Sequence, residues 1–417
     1  MRPLTPWKLI FAGIGLVLSG LGLAITGGAV AYAQDAEPAE AEYVGVTQCA
    51  TCHRDLPRLH ALSRHAMALQ DVNSDKSRIQ ADFNVGEDVR TIQFPDEAAP
   101  RAFTPEDVYY VIGSGRYVER YLYRVRRNVY AIFPAEWNAL TESWQPYRAG
   151  ENWPEDPTYD WVQNCAYCHT TGLNDRGRWV DDGVQCESCH GPGSIHMAEA
   201  QRAGNPPTEV ALPRVRAAIV RSPDAQICGQ CHSQGVEPES GWPYPFTYRP
   251  GMDLLDSGVF TLVADDDPDH WWASGHARDT NMQFNEWLLS AHARSLDSLR
   301  AETEPVDPAC LDCHTTEYQF NARLAAAVEA GTRAGAPPPA VTLEMAQTAV
   351  TCVACHDPHS DGTYDFSLRD DPYTLCADCH RDTDATPGLH HPVQEMFEGI
   401  TLIPTIQGIP SVHFTVD

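Results

Sequence analysis

The longest apolar stretch of the chain lies at its start. Leu9 to Val30 follows a short basic head, Arg2 and Lys8, and runs into Ala31-Tyr32-Ala33 and then Gln34. The small residues Ala31 and Ala33 spell a cleavage site, so residues 1–33 read as a signal peptide removed after Ala33. The alternative is a retained membrane anchor through residues 9–30, because about 20 apolar residues suffice to span a bilayer. Either reading puts the remainder outside the cytoplasm, in the periplasm or at the cell surface. Residues 34–42, QDAEPAEAE, carry no large apolar side chain and are expected to form an acidic tether.

Further along, the hydrophobic pattern divides the chain by period. Asp107 to Ile112, Glu119 to Val125 and Asn128 to Phe133 are rich in β-branched and aromatic residues. Gly113 to Gly115 punctuate the first two runs, and Arg126-Arg127-Asn128 suits a hairpin turn between the second and third. A small antiparallel sheet is expected here, ending at Trp137 to Trp144. Thr280 to Leu296 reads instead as helix, with His292 near its end. Asn321 to Ala334 is an Ala-rich helix that stops before Pro337-Pro338-Pro339.

Chemistry enters with the cysteines. All 14 fall into seven copies of Cys-x-x-Cys-His. These are Cys49/Cys52/His53, Cys165/Cys168/His169, Cys186/Cys189/His190, Cys228/Cys231/His232, Cys310/Cys313/His314, Cys352/Cys355/His356 and Cys376/Cys379/His380. Two thiols at this spacing can join one edge of a porphyrin as thioethers, while the next residue turns its imidazole to the iron. A disulfide framework would not repeat a single spacing, and a zinc site does not require the trailing histidine. Seven covalently attached c-type haems are therefore expected. The 57 acidic against 29 basic residues give a net charge of −28, which disfavours nucleic acid and anionic lipid.

A six-coordinate haem needs a second axial ligand. Of 17 histidines, seven close the motifs and ten remain. His65 and His292 share the form L-S-x-H-A-x-x-L. His196 and His359 follow the third and sixth motifs so closely that each must serve a neighbouring haem rather than its own. His276, His391 and His413 complete a distal set of seven, leaving His60, His270 and His390 as surplus. Met67 and Met197 read as packing beside haem, as do Trp271 and Trp272. Asp265-Asp266-Asp267-Pro268-Asp269 lacks the spacing of an ordered calcium loop.

The motifs are internally duplicated. The second and fifth continue as His169-Thr170-Thr171 and His314-Thr315-Thr316, and the third and sixth as His190-Gly191-Pro192 and His356-Asp357-Pro358. Motifs one to three form one block, four to six another, and the seventh opens a third. The expected organisation is a first haem segment at 43–70, a β-rich insert at 71–160, haem segments two to four at 161–290 and five to seven at 291–417. The expected fold is mainly α with much irregular chain organised around stacked haems, plus the small antiparallel insert.

The run Tyr43-Val-Gly-Val-Thr-Gln-Cys49, with Ser63-Arg64-His65-Ala66, CESCHGPGSIH and CVACHDPH, resembles the multihaem cytochrome c superfamily. The likeness is to the tetrahaem cytochromes that carry electrons from hydroxylamine oxidoreductase and to doubled-CxxCH proteins. It implies stacked haem pairs, bis-histidine ligation and electron transfer outside the cytoplasm. Seven motifs exceed the tetrahaem pattern, and the insert has no counterpart in the minimal carriers. An electron carrier rather than an enzyme is expected. Its partners would be other redox proteins, such as a membrane quinol-oxidising complex or a basic carrier. A multihaem reductase or oxidase of a small nitrogen or sulfur compound is the first alternative, and a filament or complex subunit the second.

Overall fold

The computed structural model describes residues 40–148, 152–204, 206–302, 305–332, 336–360, 362–381 and 393–398. The signal or anchor segment, all but the last residues of the tether, and His390, His391 and His413 lie outside these. From Ala41 onward the chain forms one unit. Among the described residues no helix is long and apolar enough to cross a membrane.

The largest regular element is a six-stranded antiparallel sheet. Its strands are β1 (Leu69–Asp71), β2 (Tyr110–Ile112), β3 (Val118–Arg126), β4 (Val129–Ile132), β5 (Ala135–Asn138) and β6 (Ser143–Pro146). The order is β1-β2-β3-β5-β6, with β4 also paired to β3. Asn128 turns the β3–β4 hairpin at φ 60°, and the ladder shifts register between Arg124 and Arg126. Trp137 and Trp144 sit opposite each other across β5 and β6. One strand lies earlier than expected. β1 belongs to the first haem segment and pairs Leu69 with Ile112, which ties the insert directly to the stretch carrying His65.

Both faces of the sheet are covered, which is why its strands read as near-continuous apolar runs rather than strict alternation. Val111, Tyr121 and Phe133 point into an aromatic core with Phe94, Phe103, Trp137 and Trp144. Tyr110, Leu122 and Ile132 point the other way, against Trp161, Cys165 and Ala166 at the second haem motif. The insert is thus a platform for that motif. Arg90, 3% exposed, crosses the first core and donates to the carbonyls of Phe83 and Val85, its guanidinium over the Phe83 ring.

Outside the sheet the chain is built of short helices and irregular segments. Most helices are one or two turns, and the longest are Thr316–Glu329 and Ser194–Ala203. The first of these starts earlier than the Ala-rich pattern suggested, because Thr315 caps it by accepting from the Tyr318 N–H. The expected helix at 280–296 is split into Gln283–Leu289 and Ser295–Arg300. Ser290 breaks it: its hydroxyl donates to the Trp287 carbonyl and its own backbone is extended. The break leaves His292 on a separate turn. Short helices are what a chain forms when its core is to be supplied by inserted plates rather than by long packed helices.

Candidate haem-binding centres

Each motif sits on a single helical turn. The backbone N–H of His53, His232, His356 and His380 donates to the carbonyl of the first cysteine of its own motif, each at 2.9 Å. That turn gathers both sulfurs and the imidazole at one place on the surface of the chain.

The thiols are not equally enclosed. Most are half-buried, but Cys52 and Cys376 are exposed. At Cys52 the cause is local. Thr51 to Asp55 form a continuous exposed stretch, and the Thr51 hydroxyl donates to the Cys52 sulfur at 3.8 Å. Packing at this motif falls on its other thiol, Cys49, which meets Cys186 of the third motif.

The motif imidazoles are then oriented from outside. His169 Nδ1 lies 2.8 Å from the Ala68 carbonyl, His190 Nδ1 2.7 Å from Val220, His314 Nδ1 3.0 Å from Ser295 and His356 Nδ1 2.8 Å from Phe366. His232 Nδ1 is 3.3 Å from the Gln283 side-chain oxygen. A carbonyl oxygen only accepts, so Nδ1 carries the proton and Nε2 offers its lone pair, as a ligating histidine requires. Burial holds His169 and His232 below the ordinary imidazole range. Burial, reinforced by His232, pushes His65 down to about 4. These imidazoles are therefore neutral at pH 7, the form that binds a metal.

Four of the motif histidines face a second imidazole. The ring centres of His53 and His196 are 6.2 Å apart, those of His232 and His65 6.1 Å, of His190 and His359 6.1 Å and of His380 and His292 6.0 Å. A metal–imidazole bond of about 2 Å, with the ring centre about 1 Å beyond the nitrogen, places two rings across one metal about 6 Å apart. The four gaps thus have the dimension of an iron with two axial histidines, and the residues fit haem. His196 is itself oriented, with Nδ1 2.9 Å from the Val215 carbonyl. The remaining histidines are placed differently. His276 is 80% exposed on a loop, beside Glu286, and is not brought to any motif histidine. His60 Nε2 is 2.8 Å from the Val184 carbonyl, and His270 pairs with Asp279. Among the described residues no imidazole stands opposite His169 or His356.

The duplication read from the motifs has a physical purpose. His65 faces the fourth motif and His292 the seventh, so each L-S-x-H-A histidine meets the first motif of the following block. Three residues later the same segments supply the Ala68 and Ser295 carbonyls that orient His169 and His314. Thr171 and Thr316 accept from the N–H of Gln185 and Thr351, the residues just before the third and sixth motifs, both at 2.8 Å. The cysteines repeat the relation. Cys49 lies beside Cys186 and Cys228 beside Cys352, while Cys168 lies beside Cys231 and Cys313 beside Cys379. Cys189 lies near Cys228 and Cys231, and Cys355 near Cys376 and Cys379. Motif one therefore adjoins three, three adjoins four, four adjoins two and six, and seven adjoins six and five.

One group in this region escaped the sequence reading. Glu187, inside the third motif and 2% exposed, accepts from the backbone N–H groups of Val44, Gly45 and Gly193. Its partners are backbone groups, so no side-chain pattern in the sequence pointed to it.

Two family models match parts of the chain: the doubled CXXCH motif over residues 345–385, and cytochrome c554 and c-prime over residues 136–191. No curated protein sequence matches. Among solved structures, the outer cell wall cytochrome OcwA is similar with a TM-score of 0.67 and 27% identity, over 89% of this chain and 74% of that one. The undecahaem cytochrome from the S-layer of Carboxydothermus ferrireducens gives a TM-score of 0.54 at 20% identity. That match spans 91% of this chain but 50% of the longer protein, and at this identity it speaks to the fold alone. The attachment motifs, the paired imidazoles, the two family matches and the OcwA likeness support one identification at the level of class: a multihaem c-type cytochrome.

Proposed function

We propose that the protein is an extracytoplasmic heptahaem cytochrome that passes single electrons along a relay of haems between redox partners. Haem supplies a one-electron Fe(III)/Fe(II) couple at each motif. The chain supplies everything else: cysteines to fix each plate, Nδ1 acceptors to orient the proximal rings, and His65, His196, His292 and His359 to close four irons. The observation that carries the reading is the proximity of the motifs through their cysteines, in which each of the seven has a cysteine near one of another motif. Close contact matters because electron tunnelling falls steeply with edge-to-edge distance. Paired imidazoles favour the ferric state and hold potentials low, and the −28 net charge acts in the same direction.

Placement outside the cytoplasm is supported by the N-terminal apolar run and by the outer cell wall setting named for the similar cytochrome OcwA. We assign His391 and His413 as further distal ligands on sequence grounds; His276, exposed beside Glu286, is the weakest of the seven distal candidates. The partners are other redox proteins, with a basic carrier or a membrane quinol-oxidising complex the best match to an acidic surface. The test is protein-film voltammetry of the purified holoprotein. A broad, overlapping, reversible low-potential envelope without catalytic current on added nitrite or hydroxylamine is expected. A sustained catalytic wave would replace the relay with a reductase.

A further inference from the structure

Glu187 holds together two segments that the first haem needs. Its carboxylate accepts from Gly45 N–H at 2.8 Å, from Val44 N–H at 3.0 Å and from Gly193 N–H by a short bond of 2.6 Å. Gly45 is the residue before the helix Val46–Cys49 that opens the first motif, and at φ 86° it occupies backbone that a side chain disfavours. Gly193 immediately precedes the helix Ser194–Ala203, which carries His196. One buried carboxylate thus grips the start of the proximal element and the start of the distal element of the same iron.

No ion pair is made by Glu187 among the described residues, so backbone dipoles alone offset its burial. The clip is reinforced on both sides. Glu42 N–H donates to the Ser194 hydroxyl, Ser194 N–H donates to the Glu42 carbonyl, and Val46 N–H donates to Asp181. Haem attachment does not itself demand an acid here. At the matching place of the sixth motif stands Val353, between Cys352 and Ala354.

We propose that Glu187 is a positioning residue for the first haem: by fixing Val44-Gly45 to Gly193 it sets His196 opposite His53 and binds the first motif to the third. The inference rests on reading His53 and His196 as an axial pair. It makes the junction between first and third haems depend on a side chain that touches neither iron.

The test compares Glu187→Ala, Glu187→Gln, Val353→Ala and His196→Ala holoprotein by EPR of the oxidised form and by carbon monoxide titration of the reduced form. His196→Ala should add one high-spin haem and one carbon monoxide equivalent per chain over wild type. Glu187→Ala should reproduce that signature, with added imidazole restoring the low-spin signal. Glu187→Gln, which keeps one accepting oxygen, should lie between. Val353→Ala should match wild type. If Glu187→Ala fails to mature, the Gln variant decides alone, and a wild-type spectrum and titration overturn the proposal. No change in His196→Ala would instead remove the axial-pair reading itself.

Discussion

His65 ties the first haem segment to the fourth motif across 167 residues, so replacing it with alanine should cost more than a ligand. On the proposed ligation the fourth haem would be fixed to Cys228 and Cys231, and a bond from its iron to His65 would close a loop of that length. Metal clips on long loops restrict the unfolded chain as disulfides do. For a loop of this size the chain-entropy relation gives about 5 kcal/mol as an upper bound, since other haem ligations shorten the effective loop. Two effects then separate cleanly. His65→Ala should convert one haem to high spin, and added imidazole should return it to low spin by filling the vacated position. Free imidazole cannot close the loop, so the denaturant midpoint should stay depressed even when the spectrum is restored. Guanidinium unfolding followed by haem absorbance and by far-ultraviolet dichroism, with and without imidazole, measures both. An unchanged spectrum in His65→Ala would refute the ligation. Full recovery of stability by imidazole would refute the loop-closure argument.

Three further outcomes follow from the same structure. Intact-mass measurement of mature protein should find seven covalently bound haems, and six would identify an idle motif. Phe103 is fully buried and stacks on Phe133 with ring centres 4.1 Å apart, so Phe103→Ala should destabilise the insert by about 3–5 kcal/mol, read as faster hydrogen exchange in β2 and β3. Glu119 is buried beneath the Gln80 and Ala81 N–H groups and the Tyr121 hydroxyl, and burial raises its carboxyl above the ordinary range. An acid whose folded value is raised binds its proton more tightly when folded, so its contribution is full at low pH and is lost as pH rises through that raised value. Relative to wild type, Glu119→Gln should gain stability as pH climbs from about 4.5 towards neutrality; a pH-independent difference would contradict this.

What the sequence disclosed and what it withheld divide along physical lines. The sheet was legible because β-branched and aromatic runs broken by Gly113, Gly115 and Asn128 carry their own conformational signals. The motifs were legible because thioether chemistry fixes their spacing. The pairing of histidines was only half legible. L-S-x-H-A marked His65 and His292 as special, but nothing local states that their partners are His232 and His380, because that relation is set by the stacking of blocks. His276 lacks the flanking leucines of the L-S-x-H-A segments, which in His292's segment bury Leu296 against Val341 and Ala346. The 280–296 helix was overread because Ser290 competes for a helical carbonyl, a preference that periodicity does not register. Glu187 was missed because its partners are backbone groups, which no pattern of side chains announces.

The relay is tested most directly by rapid mixing of fully reduced holoprotein with an excess of a ferric one-electron acceptor, followed at the haem absorbance. If the motifs form one connected path, every haem should reoxidise in a single continuous process, delivering as many electrons per chain as there are bound haems. A fraction of the absorbance that stays reduced, or that decays only with direct acceptor collisions, would mean the haems are isolated from one another and would contradict the account.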